Sequence, residues 1–252
     1  MRRNVPVLLI ALAVAGALPG MAARPAVGQG DSPATSTPAA PADSQSELGL
    51  LTGTPEAAPS YASIHRSRTV DGAFLLGDPN APVTVVEFGD FACQLCQTYK
   101  PTIDRFIENY VVPGKAAFEF RLYPSTGGAL SARLSQYAEC ADQQQPGAFW
   151  DSYELLYQLA ENGGYDQTAS RTLAARLKLD AASLRSCARQ ARQVFRDIAL
   201  GYALHVAEAP AILVQYGDQI PEFIRQDGQT YDQGTVPYSV LERALLGNGP
   251  MI

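Results

Sequence analysis

Residues 83–96 read VTVVEFGDFACQLC, and this stretch decides the fold. Its first half, from Val83 to Phe88, is rich in β-branched and aromatic residues and predicts a strand. A Cys-x-x-Cys motif, Cys93 to Cys96, follows at once. Apolar residues at helical spacing come next and predict an amphipathic helix: Tyr99, Ile103, Phe106, Ile107 and Tyr110. The two cysteines therefore fall where a strand ends and a helix begins.

This position has consequences for the chemistry of the cysteines. The N-terminus of a helix presents unpaired N–H groups and the positive end of the helix dipole, and both stabilise a thiolate. Because the thiolate is the nucleophile in disulfide exchange, we expect Cys93 to be an exposed attacking cysteine and Cys96 a shielded resolving one. Half of a zinc site and a merely structural disulfide are the alternatives. A zinc site needs further ligands, and the chain's two histidines, His65 and His205, are not placed to supply them.

Two further residues belong to this pattern. Pro101 falls inside the predicted helix, where a proline removes a hydrogen bond and kinks the axis. Glu87 lies on the predicted strand six residues before Cys93. If that strand is central, Glu87 is a buried carboxyl that exchanges a proton with the resolving cysteine. If the strand lies at an edge, Glu87 is a surface residue.

Together these features resemble the thioredoxin superfamily. Residues 77–96, GDPNAPVTVVEFGDFACQLC, are similar to the DsbA-like branch of exported thiol:disulfide oxidoreductases, and the resemblance extends from about Phe74 to Leu246. It implies that Glu87 occupies the family's buried acid position. The sequence departs from the pattern between the cysteines, where Gln94 and Leu95 replace the His or Pro of the strong oxidants. We expect these two residues to contact substrate and to make Cys93 less acidic.

The remainder of the folded chain agrees with this resemblance. Residues 116–122 predict a second strand, and residues 209–214 predict a third. Between them the pattern is helical, with segments predicted at 129–142, 149–160, 168–177 and 181–206. We therefore expect an α/β thioredoxin fold made of residues 61–127 and 208–252, with an all-helical insert at 128–207.

The resemblance assigns roles to residues in the last third of the chain. Pro210 matches the proline that starts a strand beside the dithiol and is cis in thioredoxin-like proteins. A cis bond leaves the backbone of Ala209 free to pair with an extended substrate segment. Cys140 and Cys187 both lie in the insert, and some DsbA-like proteins carry a second disulfide there. We expect a structural bridge; two buried free thiols and a second catalytic pair are the alternatives.

The N-terminal region and the net charge bear on location. Residues 1–27 contain Arg2-Arg3 and then a long uncharged run, which predicts a secretory signal peptide or else an uncleaved anchor. Residues 28–60 are rich in Pro, Ser and Ala and predict a disordered linker, with a propeptide or a low-complexity tail as the alternatives. The chain is thus expected in an oxidising extracytoplasmic compartment, whether periplasm, cell envelope or medium. A formal charge of -6 argues against nucleic-acid binding.

The resemblance implies a function as well. We expect a monomeric protein disulfide oxidoreductase without a metal or organic cofactor, acting on reduced client proteins or peptides. Its reoxidation implies a quinone-linked membrane partner of the DsbB or vitamin K epoxide reductase type. One alternative is an extracytoplasmic reductase or isomerase. Another, of a different class, is a thioredoxin-like module that binds peptides or copper without turnover.

Overall fold

A mixed β-sheet forms the centre of the structure. The computed structural model describes residues 61–161 and 168–246, which lie in the unit spanning Gly53–Ile252. In this part of the chain the sheet contains β1 (Arg66–Arg68), β2 (Phe74–Leu76), β3 (Val83–Gly89), β4 (Ala117–Leu122), β5 (Ala211–Tyr216), β6 (Glu222–Gln226) and β7 (Gln229–Tyr231). Their order is β1-β2-β4-β3-β5-β6-β7. β3 and β4 are parallel, and the other neighbouring strands are antiparallel.

The predicted strands at 83–88, 116–122 and 209–214 correspond to the three central strands. β3 lies between β4 and β5, and six of its seven residues are buried. This burial explains its continuous run of β-branched and aromatic residues. The strands β1, β2, β6 and β7 were not predicted, because each is only three to five residues long, which is too short for an alternating pattern to stand out.

Helices cover the sheet and fill the segment between β4 and β5. α1 (Gln94–Phe106) continues into a π-helical turn, and α7 (Tyr238–Leu246) closes the described chain. Between β4 and β5 lie α2 (Gly128–Gln144), α3 (Ala148–Glu161), α4 (Ala169–Leu177), α5 (Ala181–Ala188) and α6 (Gln193–Ala203). The predicted fold class, a thioredoxin fold with an all-helical insert, is confirmed.

One predicted helix is in fact two. The pattern at 181–206 predicts a continuous helix, but α5 ends at Ala188 and α6 begins at Gln193. The buried carboxylate of Glu139 on α2 accepts hydrogen bonds from the backbone N–H groups of Arg192 (3.1 Å) and Gln193 (3.0 Å). Such a carboxylate caps a new helix N-terminus. Amphipathic spacing alone does not reveal a cap supplied by another helix.

A buried ion-pair cluster docks the insert on the sheet. Arg121 on β4 forms salt bridges with Asp197 on α6 (3.1 Å), with Glu119 on the same strand and with Asp71. The other oxygen of Asp197 accepts the backbone N–H of Leu122 at 2.9 Å. Asp197 thus fixes α6 against the end of β4. Removal of one charge from such a cluster leaves the other charges buried and unpaired, which is strongly destabilising.

The signal peptide or anchor predicted at 1–27 and the linker predicted at 28–60 lie outside the described residues. Within the described residues, none of the helices is long and apolar enough to span a bilayer.

Candidate active site

Cys93 is the N-cap of α1. Its backbone is extended (φ -79°, ψ 118°), and its Sγ accepts a hydrogen bond from the backbone N–H of Cys96 at 3.3 Å. The backbone N–H of Cys93 donates to the carbonyl of Asp90 at 3.1 Å. The turn that ends β3 thus places the sulfur where an N-cap residue usually has its side-chain oxygen.

The pKa values of the two thiols are shifted in opposite directions. The hydrogen bond from the side chain of Cys96 is the main cause that lowers the pKa of Cys93 to about 6, and the backbone N–H groups of Cys96 and Leu95 add to it. Burial opposes this shift. Burial, the hydrogen bond to Cys93 and the charge of Glu87 raise the pKa of Cys96 far above its ordinary value. At neutral pH Cys93 is therefore a thiolate and Cys96 a thiol.

The attacking sulfur is less open than the sequence predicts. Only 4% of Cys93 is exposed, against 1% of Cys96. The cover comes from the segment before β5, where the Sγ of Cys93 lies 3.4 Å from the carbonyl oxygen of Ala209. The family resemblance places Pro210 beside the dithiol, but local sequence patterns do not reveal this contact, because it joins positions 116 residues apart.

That covering segment contains the cis peptide bond between Ala209 and Pro210. Both residues are buried. The carbonyl of Ala209 faces the sulfur of Cys93, and its N–H donates to the hydroxyl of Ser125 at 2.9 Å. Of the two backbone groups that we expect a client strand to use, the carbonyl is thus covered by the sulfur of Cys93 and the N–H is hydrogen-bonded within the protein itself.

Glu87 lies on the central strand, buried beneath the dithiol. It is 2% exposed, and no group of the described residues hydrogen-bonds its Oε2. Burial, and after it the charge of Asp104, raises the pKa of Glu87 to about 8, while Lys100 acts in the opposite direction. Glu87 is therefore protonated at neutral pH, and it lies close enough to Cys96 to raise the pKa of that thiol. The edge-strand alternative is excluded.

Lys100 is a site residue that the sequence reasoning missed. It lies one helical turn after Cys96, and only 6% of its side chain is exposed. Its Nζ contacts Asp104 (2.7 Å) on the same helix and Glu154 (3.0 Å) on α3. Since the charge of Lys100 is shared with these two carboxylates, it does not pair with Glu87, which keeps its proton.

Asp90 was also missed. It is fully buried, and its Oδ1 accepts the backbone N–H of Ala92 at 2.9 Å. Its Oδ2 accepts the N–H of Thr126 (2.9 Å), the hydroxyl of Thr126 (2.8 Å) and the hydroxyl of Ser131 (2.9 Å). Asp90 thus joins the cysteine turn to the start of the helical insert. The sequence signal was available, since an Asp that follows a Gly at the end of a strand is typical of an Asx-turn.

The two residues between the cysteines lie at the surface. Gln94 is exposed, and Leu95 is 47% exposed. A Cβ built on Gly234, in the segment before α7, would lie 3.7 Å from a methyl group of Leu95. Gln94 and Leu95 are therefore accessible to a client at the N-terminus of α1, and the contacts that we expect them to make remain a prediction.

The second cysteine pair lies in the insert, on different elements from the dithiol. Cys140 on α2 and Cys187 on α5 are joined by a disulfide, with the Cα atoms 5.8 Å apart. Cys93 and Cys96 are both free thiols. Among the residues that the structure describes, no group of three or more acidic, histidine or cysteine side chains is arranged to hold a metal ion.

Known proteins share both the sequence and the fold. A family model described as Thioredoxin matches residues 69–222, more than half of the chain. "Probable disulfide bond formation protein D" of Bacillus cereus is 37% identical over 84 residues, 33% of this chain and 38% of that protein. "Disulfide bond formation protein D" of Bacillus subtilis is 31% identical over 93 residues, 36% of this chain and 40% of that protein. The chain thus matches about two fifths of the length of these curated relatives.

A solved structure extends the likeness across the fold. The crystal structure of α-DsbA1 from Wolbachia pipientis aligns with a TM-score of 0.58 and 17% identity, covering 71% of this chain and 91% of that one. At this identity the likeness concerns the fold, including the helices inserted between the strands. The resemblance read from the sequence is confirmed: the chain belongs to the thioredoxin family and has its DsbA-like fold.

Proposed function

We propose that the protein is an extracytoplasmic thiol:disulfide oxidoreductase that introduces disulfides into client proteins. The observation that carries the proposal is the unequal pair of thiols at the N-terminus of α1. Cys93 has a pKa lowered to about 6, and Cys96 has a pKa raised by burial beside Glu87. The names of the Bacillus relatives, disulfide bond formation protein D, support the same reaction.

In the oxidised protein Cys93 and Cys96 form a disulfide, and the first step is attack on Cys93. A client thiolate bonds to the Sγ of Cys93, the bond between the two cysteines breaks, and its electron pair goes to the Sγ of Cys96. This buried sulfur takes the proton of the Glu87 carboxyl and leaves as a thiol. Glu87 suits the role because its raised pKa of about 8 keeps it protonated at neutral pH.

In the second step another thiolate of the client resolves the mixed disulfide. It attacks the client's own sulfur, and Cys93 leaves as a thiolate. The low pKa of Cys93 favours this departure, because a thiol of lower pKa is a better leaving group. The client has then lost two electrons, which reside in the reduced dithiol.

The cycle requires partners and a location. Reduced client proteins supply the electrons, and a membrane reoxidase linked to quinone accepts them from the dithiol. We propose an extracytoplasmic location because disulfides form and persist in oxidising compartments. The disulfide between Cys140 and Cys187 is consistent with such a compartment.

Trapping of the mixed disulfide tests the proposal directly. The Cys96→Ser variant is incubated with a peptide that carries a disulfide, and the products are separated without reductant and identified by mass spectrometry. We expect a covalent adduct on Cys93. The matched variant Cys93→Ser should give none, because Cys96 is buried and has a raised pKa. The absence of an adduct on Cys93, or copper bound in stoichiometric amount, would favour the non-turnover binding module.

The reduction potential then determines the direction of electron flow. The protein is equilibrated in glutathione buffers, alkylated and analysed by mass spectrometry so that each pair of cysteines is counted separately. A value of about -120 to -180 mV is the range of strong oxidants and protein disulfide isomerase and is the expected result. A value of about -250 mV or lower would contradict the oxidase and make the protein an extracytoplasmic reductase.

A further inference from the structure

The loop between β4 and α2, residues 123–127, contacts both walls of the dithiol cleft. On one side the backbone N–H and the hydroxyl of Thr126 donate to the buried carboxylate of Asp90, at 2.9 and 2.8 Å. On the other side the hydroxyl of Ser125 accepts the N–H of Ala209 at 2.9 Å. Adjacent residues of one loop thus bind the cysteine turn and the segment that covers it.

The contact with Ala209 lies where a client is expected. An extended peptide that adds to this segment as a strand needs the N–H and the C=O of one residue. In the reduced protein the Sγ of Cys93 lies against the carbonyl of Ala209, and the hydroxyl of Ser125 holds its N–H. Both groups must be released before a client can pair with Ala209.

The two backbone groups of Ala209 are held differently. Cys93 has no proton to donate, either as the thiolate of the reduced protein or in the disulfide, so the carbonyl of Ala209 accepts no hydrogen bond from it in the oxidised protein. The hydroxyl of Ser125 is unaffected by this chemistry and continues to hold the N–H. The oxidised protein is the form that meets a reduced client. In this form Ser125 is therefore the group of the described structure that still holds the N–H of Ala209.

Ser125 can yield without rearrangement of the site. It is exposed, whereas Ala209 is buried, so the serine side chain can turn into water by rotation about χ1. The loop itself stays in place, because Thr126 is bound to Asp90 through both its backbone and its side chain. Displacement of Ser125 thus exchanges one hydrogen bond for another and leaves the cysteine turn unchanged.

We propose that Ser125 is a positioning residue that holds the N–H of Ala209 until the backbone carbonyl of a client displaces it. The inference rests on the proposed function and adds to it a selection for clients with an extended backbone. A small thiol without a peptide carbonyl has no group to place at Ala209. Its reaction with Cys93 is therefore independent of Ser125.

The test compares two thiols on the oxidised protein. The wild type, Ser125→Ala and Ser125→Thr are mixed with an acetylated, amidated pentapeptide containing one cysteine, or with 2-mercaptoethanol. Acid-quenched samples are analysed by mass spectrometry for loss of the Cys93–Cys96 disulfide. The matched control is Thr230→Ala, which removes an exposed hydroxyl from the edge strand β7. Absorbance of the Cys93 thiolate, titrated in each reduced variant, monitors the dithiol itself.

We expect Ser125→Ala to react with the peptide about threefold to tenfold faster, the size of effect that one hydrogen bond has. Its rate with 2-mercaptoethanol and the pKa of Cys93 should match the wild type. Ser125→Thr keeps the hydroxyl and should behave as the wild type, as should Thr230→Ala. An unchanged or slower reaction with the peptide overturns the inference. An equal change with both thiols also overturns it, because Ser125 would then act through Cys93. A wild type that reacts with neither thiol contradicts the proposed function instead.

Discussion

Cys93 and Cys96 are free thiols at the start of α1, whereas Cys140 and Cys187 form a disulfide between α2 and α5. The first pair is three positions apart in a single turn, and the second joins positions 47 apart in the sequence. The surroundings differ as much as the spacing. Cys93 receives a hydrogen bond from the N-terminus of a helix and lies above a buried acid, while Cys140 lies within a helix and is fully buried.

This difference shows what makes a sulfur reactive in one and the same fold. A cysteine inside a helix has its backbone N–H groups already paired, so nothing there stabilises a thiolate. A bond between two such cysteines mainly restricts the unfolded chain. At the N-cap the unpaired N–H groups stabilise the thiolate. The disulfide between Cys93 and Cys96 is therefore readily reduced and formed again. Four variants test the contrast.

Loss of the attacking cysteine should have the largest effect. Cys93→Ser should abolish oxidation of a peptide with two reduced cysteines, because serine cannot form the mixed disulfide. Turnover is measured by loss of free thiol in the presence of a glutathione redox buffer. The double variant Cys140→Ala/Cys187→Ala is the matched control and should retain the wild-type rate. Equal loss in both, with the double variant still folded by circular dichroism, would show that the insert disulfide takes part in the reaction.

The insert disulfide should instead determine stability. The chain-entropy model gives about 4 kcal/mol for a loop of the observed length, 47 residues. Cys140→Ala/Cys187→Ala should lose about this free energy of unfolding in urea, measured with the dithiol kept reduced. Reduction of the wild type and alkylation of all its cysteines should give a similar loss. An unchanged midpoint would mean that packing alone fixes α2 against α5.

Removal of the buried acid should have a smaller effect that depends on pH. Glu87→Gln has no proton to give to Cys96, so we expect about tenfold slower oxidation of a peptide below pH 8. In the native state the pKa of Glu87 is raised to about 8 from an ordinary 4.5. The folded protein therefore binds more protons than the unfolded one between these values, and the contribution of Glu87 to stability falls as pH rises through this window.

The matched measurement is urea unfolding of the wild type and Glu87→Gln at several pH values. The difference in free energy of unfolding should move in favour of Glu87→Gln from pH 5 to pH 8 and level off above. A difference that is constant over this range would show that Glu87 does not titrate there. A rate that is unaffected at every pH would remove Glu87 from the proton transfer while leaving Cys93 and Cys96 in place.

The sequence predicted what depends on local pattern and on the family resemblance. The central strand, the helix and the dithiol between them follow from residues 83–110, and the helical insert follows from its periodicity. The contacts that surround the dithiol come from distant segments. Ser125 and Ala209 are 84 positions apart, and Lys100 and Glu154 are 54 positions apart. Only tertiary packing brings such pairs together.

One of these residues did leave a signal. Lys100 follows Cys96 and Tyr99 on the face of α1 that Ile103 continues, so helical spacing places it among buried residues. A lysine on such a face is buried only when it is paired. The pattern thus indicated a buried cation near the dithiol, although it did not reveal Asp104 or Glu154 as its partners.

Replacement of this lysine should have the smallest of the four effects. The charge of Lys100 opposes the upward shift of the Glu87 pKa, whereas Asp104 adds to it. Lys100→Met keeps most of the length of the side chain and removes its charge, so the pKa of Glu87 should rise further. Below pH 8 the oxidation rate stays close to the wild type, because Glu87 is protonated in both. Above pH 8 the variant should be faster, since it keeps the proton that the wild type has lost. The control is Lys115→Met, which replaces an exposed lysine just before β4 and should leave the pH profile unchanged. If the oxidation rate of Lys100→Met instead falls at a lower pH than the rate of the wild type, the lysine raises the pKa of Glu87, and the inference is wrong.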